Sequence, residues 1–390
     1  MKRWLTGAVS WFACLGLLAV PLPGEGAETI KIGVTQPLTG VVAASGNYVA
    51  QGARIAESLL NAKGGILGKK VELIVEDNKS NPVEAVATAE KLIVRDKVPV
   101  LMGAWSSTYT LAVMPKLMEY SVPMVVETSS SGKITTSGNP WIFRISPTSA
   151  MEAVAMAPHV KKFNVKKADF LSVNNDWGRG AADEFAKMLQ KQGIRIGTRE
   201  TMDAKAQDLS AQLAKIKASG GDTLFLTTGV EQITLVLKQA KEQRLAHKII
   251  TTGGSSSPDQ LIEQAGAAAE GSYHILFFAP WFPEAAPYPA LAKEFVAEWK
   301  KRGYNFAGLT EGFRGYDGIM TIAAAITKAG KADAKSIQKA LWDVQVQGVN
   351  GPIKFMKEGP KGRESGQSQP NVFIVQIAQG KVALPGFMKK

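Results

Sequence analysis

Two hydroxyl-rich stretches carry the residue types that can hold a small oxyanion. The first, Gly103–Thr110, reads GAWSSTYT, and the second, Glu127–Lys133, reads ETSSSGK. Each directly follows a short apolar β-type run, Val98–Gly103 and Val122–Glu127. The first also opens a pattern with Leu111, Met114, Leu117 and Met118 at helical spacing. A helix N-terminus offers free N–H groups and the positive end of its dipole. Serine and threonine hydroxyls add donors that can turn toward an oxygen. Ser106, Ser107, Thr128, Ser129 and Ser130 can together hold one small anion, most simply a carboxylate. The same residue types are ordinary helix caps and turn formers. Two such loops in successive strand–helix units favour a site over two coincidental caps. Aromatic residues flank them. Trp105 lies inside the first loop, Trp177 follows VNND at another strand–helix junction, and Tyr48 starts the first helical run. Such rings fit the wall of an apolar pocket and equally the packing of a core.

Other chemistry finds little support. A nucleophile elbow needs G-x-S-x-G at a strand–helix turn, and Gly253–Pro258, GGSSSP, lacks the last glycine. A phosphate-cradling loop needs GxxxxGK followed by Ser or Thr. Around Gly132-Lys133, Glu127 replaces the first glycine and Ile134 follows the lysine. The three histidines, His159, His247 and His274, make no i, i+4 pair, and Cys14 is the sole cysteine. No catalytic residue, metal site or cofactor is expected.

The elements that must position the loops alternate along the chain. Thr29–Val34, Lys70–Glu76, Val98–Gly103 and Val122–Glu127 read as strands, and Gly46–Lys63 and the run opened by Pro82 read as helices. The rhythm restarts near Ser149. ADFLSV, TLFLTT, HKIITT and SYHILFF read as strands, with helical runs at Gly180–Gln192 and Glu231–Gln243 between them. Tyr288–Trp342 is mostly helical, and β-type runs return at Asn371–Ala378 and Val382–Leu384. Alternation of this kind predicts an α/β protein with parallel sheets covered on both faces, here in two lobes. In such sheets ligands bind beyond the carboxyl ends of the strands, where both hydroxyl loops fall.

The 390 residues are 45% hydrophobic and 21% charged, which excludes a disordered chain. Lys2 and Arg3, an uncharged stretch from Trp4 to Pro23 and small residues at Gly24, Gly26 and Ala27 make an export signal over residues 1–27. Losing Lys2, Arg3 and Glu25 with it takes the formal charge from +12 to +11. The basic residues come in short groups such as Lys69-Lys70 and Lys300-Lys301-Arg302, without a nucleic-acid-binding motif. A periplasmic protein that binds no nucleic acid is expected.

IKIGVTQPLTG, followed by GNYVAQGARIAESLLNAKGG, GAWSST, VPMVVETSSS, WIFRISPT, NNDWGRG and GYDGIM in that order, closely resembles the type I periplasmic binding proteins of ABC importers, in particular the leucine/isoleucine/valine-binding family. The resemblance spans essentially the whole mature chain. It implies two Rossmann-like lobes with parallel sheets, joined by a hinge of three crossovers near Ser146, Phe278 and Gly351. The lobes would be 28–146 with 278–350, and 147–277 with 351–390. It also implies a carboxylate held by Ser106, with Ser107 beside it, and by Thr128, Ser129 and Ser130. Ser45 and Trp177 stand where some members carry tyrosine. The sequence departs from the family at two places. Gly253-Gly254-Ser255 replaces a glutamate that pairs with a ligand ammonium, and Val230 replaces an aromatic residue. A carboxylate with an apolar or aromatic body and no required ammonium is therefore expected, unless Glu231, Asp176 or Glu311 supplies the counter-charge. The expected partners are that small ligand and membrane permease subunits, with the protein itself a monomer. A ligand-sensing module of the same fold is the alternative.

Overall fold

The computed structural model describes Met1 and residues 29–388; the export signal and Cys14 fall at 2–28, outside the described residues. The first series of elements is β1 (Ile30–Gln36), α1 (Ala43–Ala62), β2 (Val71–Asp77), α2 (Pro82–Val94), β3 (Leu101–Met102), α3 (Ser107–Tyr120), β4 (Met124–Val126), α4 (Lys133–Thr136) and β5 (Ile142–Arg144). The second begins with α5 (Ser149–Met156). It continues through β6 (Lys167–Val173), α6 (Asp176–Lys191), β7 (Arg195–Met202), α7 (Ser210–Ser219), β8 (Thr223–Thr227), α8 (Val230–Glu242), β9 (Lys248–Thr251), α9 (Pro258–Ala265) and β10 (Tyr273–Leu276). Three helices follow, α10 (Pro289–Lys301), α11 (Leu309–Ala329) and α12 (Ala334–Leu341). The chain closes with short strands, β11 (Val346–Gly348), β12 (Gly351–Ile353), β13 (Met356–Glu358), β14 (Ser365–Gln367), β15 (Phe373–Ala378) and β16 (Lys381–Ala383).

Each series builds one sheet. The orders are β13-β14-β5-β4-β3-β1-β2 and β16-β15-β10-β9-β8-β6-β7. In both, the five strands of the series are parallel and follow the same order. Parallel neighbours need crossover helices, and these cover both faces of each sheet. The chain is thus two Rossmann-like lobes. β7, RIGTRETM, is a half-exposed edge strand without apolar alternation, which is why it escapes a hydropathy reading.

The chain passes from the first sheet to the second between Arg144 and Lys167 and returns after Leu276. The third crossing needs correction. It lies between Gln367 and Phe373 rather than near Gly351, because β14 pairs in parallel with β5, with Gly366 opposite Phe143. Residues 351–367 thus continue the first lobe. β13 and β14 are three-residue strands, MKE and SGQ, too short and polar to announce themselves.

One helix contact is made backbone to backbone. α11 lies on α1 so closely that a Cβ on Gly52 would stand 1.7 Å from the Gly312 carbonyl oxygen. A Cβ on Gly315 would stand 1.9 Å from the Val49 carbonyl oxygen. Backbone cannot yield as a side chain can, so Gly52→Ala must part the helices. Overpacking of this kind costs about 1–3 kcal/mol. A fall of several degrees in Tm is expected in a thermal melt; an unchanged Tm would show that the helices are not locked at this point.

Candidate functional site

The two hydroxyl loops lie side by side at the carboxyl ends of β3 and β4, and the α6 end of the second lobe faces them. Ser106 is the N-cap residue of α3, yet its hydroxyl makes no capping bond. Capping would have consumed it; instead it faces the cleft. The Ser107 hydroxyl accepts from the Ser131 N–H at 3.1 Å and ties the loops together. Ser129 is spent on structure, because its hydroxyl donates to the Trp105 carbonyl at 3.0 Å and meets the Thr110 hydroxyl at 2.7 Å. The Ser130 hydroxyl lies 3.2 Å from that of Ser149, across the first crossover.

Buried Arg144 shapes the second loop. Its guanidinium donates to the carbonyls of Ser129 at 3.2 Å and Ser131 at 2.6 Å, and to the Thr135 hydroxyl at 2.8 Å. Its Nε donates to Gln367 at 2.6 Å. In a trans peptide the N–H points opposite the carbonyl. Turning the Ser129 carbonyl toward Arg144 therefore turns the Ser130 N–H away from it.

Two small cavities occupy the cleft. Ser106, Ser107, Thr128, Ser129, Ser130, Gly253 and Ser255 line one of about 10 Å³. A second, of about 50 Å³, is bounded by Val41, Val42, Tyr109, Asn175, Gly229 and Glu231 among others. Trp105, Ser106 and Trp177 line both. A water needs about 10–15 Å³ by this measure, so these two cavities hold only a few.

Three expected positions fall elsewhere. Val230 is a core residue of α8, 1% exposed, and its neighbours Gly229 and Glu231 line the cavity instead. Ser45 is buried on the first turn of α1 and lines neither cavity; Val41 and Val42 do. At Gly254 the carbonyl faces away to accept from Arg314 Nη2 at 2.8 Å, while Gly253 and Ser255 face the cavity. Gly253 has φ +86° and packs against Trp177, whose ring leaves no room for a Cβ. Asp176 accepts from Thr108 across the lobes at 3.1 Å, with Arg179 at 3.9 Å.

Composition gives little sign of the buried charges behind this cleft. Glu311 and Arg314 are 0% and 1% exposed and 3.1 Å apart, one turn apart on α11. Glu127 and Glu152 are also buried and lie within the field of the same arginine. The Glu127 carboxylate accepts from Gln36 at 2.8 Å, and that of Glu152 from the Gly253 N–H at 2.8 Å. Burial pushes all three carboxyls up, Glu152 to about 7, against the lowering pull of Arg314. Among the described residues no group of acids, histidines or cysteines could hold a metal ion. No helix among them is long and apolar enough to cross a membrane.

Comparison with known proteins shows what the chain is similar to. The family model described as periplasmic binding protein matches residues 29–381. The "Leucine-, isoleucine-, valine-, threonine-, and alanine-binding protein" of Pseudomonas aeruginosa is 26% identical over 360 residues, 92% of this chain and 94% of its own. A leucine-binding protein of Thermotoga maritima superposes with a TM-score of 0.80 at 27% identity, covering 92% of this chain and 98% of its own. A solute-binding protein of an ABC transporter from Rhodopseudomonas palustris, in complex with 3,4-dihydroxybenzoic acid, superposes with a TM-score of 0.78 at 27% identity, covering 91% and 95%.

Glu152 gives the cleft a pH signature that needs no ligand. Between its ordinary value of 4.5 and about 7, the folded state keeps a proton that the unfolded state has lost. Its contribution to stability therefore falls as pH rises through that window and stays lost above it. Glu152→Gln removes this slope. The Tm of the variant minus that of the wild type should climb between about pH 4.5 and 7 and then level off. A difference flat with pH would count against the buried, protonated carboxyl.

Proposed function

The chain belongs to the periplasmic binding protein family, and on that premise we propose that it is an extracytoplasmic solute-binding protein of a branched-chain-amino-acid-type ABC importer. It captures a small carboxylate with an apolar or aromatic body between its lobes and delivers it to permease subunits. The observation that carries this reading is the uncapped Ser106 hydroxyl at the N-terminus of α3, beside Thr128 and Ser130 and between two tryptophans.

The Ser106 hydroxyl and the Ser130 N–H donate to the two carboxylate oxygens, and the Thr128 hydroxyl, which here donates to Glu127 at 3.3 Å, turns to join them. The first-turn amides of α3 add the favourable end of the helix dipole. Trp105 and Trp177 cover the apolar body from the two lobes. Closure is a hinge motion about the three crossovers, held by Thr108–Asp176 and Arg314–Gly254. The relatives it matches are binding proteins rather than enzymes, and the serines are read as anion donors, not as nucleophiles. The protein binds and releases without chemistry, as a monomer. Aliphatic amino acids are the second reading, favoured by the buried Glu311 carboxylate beside the cleft.

Acids and their amides test the anchor. Benzoate and 4-methylpentanoate are compared with benzamide and 4-methylpentanamide in a thermal-shift assay. A ligand at 100 times its Kd adds about 2.7 kcal/mol, a shift of a few degrees. Acids are expected to shift the wild type, amides to do nothing, and Ser106→Ala to lose most of the response. Equal shifts by acid and amide would remove the carboxylate from the reading.

A further inference from the structure

We propose that Glu311 is a specificity-determining residue of the cleft, accepting an N–H or O–H donor from the part of the ligand remote from its carboxylate. The assignment rests on the carboxylate-capture reading above and adds a second polar requirement to it.

Glu311 is wholly buried, and neither of its carboxylate oxygens has a directed hydrogen bond. The indole N–H of Trp105 and the hydroxyl of Ser255 lie beside it, but neither is aligned with it. Both of those residues line the cavity that holds the serine loops, Trp105 from one lobe and Ser255 from the other. The carboxylate thus sits directly behind the cavity wall, where the lobes meet. A buried acceptor left unpaired costs stability, so the site is poised for a donor.

Arg314 does not supply that donor. Its Nη1 stands 3.1 Å from Glu311 but without a directed bond, and its Nη2 is committed to the Gly254 carbonyl. It also answers the charges of Glu127 and Glu152. One guanidinium is shared among three buried carboxyl groups. Its role toward Glu311 is to orient the carboxylate, leaving acceptor capacity toward Trp105 and Ser255. The donor can be an ammonium or a hydroxyl, and matched ligand pairs separate the two.

Isothermal titration of the wild type compares phenylalanine with 3-phenylpropanoate and 4-hydroxybenzoate with benzoate. The donor-bearing member of at least one pair is expected to bind tenfold or more tightly, the size of a hydrogen bond to a charged group. Preference in the first pair identifies an ammonium; preference in the second, a hydroxyl. Glu311→Gln should abolish the preference while leaving the donor-free acid within about threefold, and Glu311→Asp, which keeps the charge, should retain it. Equal affinity within both pairs in the wild type overturns the assignment, whether or not the variants fold. So does a preference that survives in Glu311→Gln. Silence toward all four acids overturns the carboxylate reading beneath it.

Discussion

The cleft hangs on one buried guanidinium, that of Arg144. It stands at the end of β5, where the first series of elements ends and the first crossover begins. An arginine buried without partners would be costly, and this one is met by two carbonyls, a threonine hydroxyl and a glutamine. Those partners are the second serine loop, the short helix α4 and strand β14. Gln367 in turn donates to the Ser146 and Ser368 carbonyls, at the first and third crossovers. The residue that shapes the anion-facing loop therefore also ties the hinge strands together. Loop shape and hinge position cannot vary independently.

Arg314 poses the opposite problem. Arg144 donates only to neutral acceptors; Arg314 stands among three buried carboxyl groups, each pushed toward its protonated form by burial. Glu127, Glu152 and Glu311 reach it from the loop just after β4, from α5 and from α11, so both lobes contribute. The glycine contact between α1 and α11 holds the helix that carries two of these groups. Burial and the arginine thus pull these carboxyls in opposite directions behind the cleft, whereas the serine-lined wall carries no such charge.

Much of the fold was legible because parallel strands buried on both faces read as apolar runs with helices between them. The two hydroxyl loops were legible for the same reason, since each follows directly on such a run. Val230 was misplaced because a residue facing the core and its cleft-facing neighbour differ by one position at a helix start. The third crossing was misplaced because MKE and SGQ carry no period at all. Arg144 and Gln367 are 223 positions apart and bond at 2.6 Å. A charge of that kind looks like surface until its partner is brought to it. Glu311 and Arg314 were separated by a single helical turn and still gave no sign of burial, because an i, i+3 acid–base pair is also the mark of an exposed helix face.

Two hydrogen bonds that cross between the lobes, Thr108 to Asp176 and Arg314 to Gly254, are made by residues that do not themselves line the serine-walled cavity. On the reading proposed above, arrival and departure of a guest would then draw on different residues. A molecule anchored on the first lobe alone would be held weakly until the second lobe swung onto it. The crossing bonds would then add to the residence time, adjustable at positions that do not touch the guest.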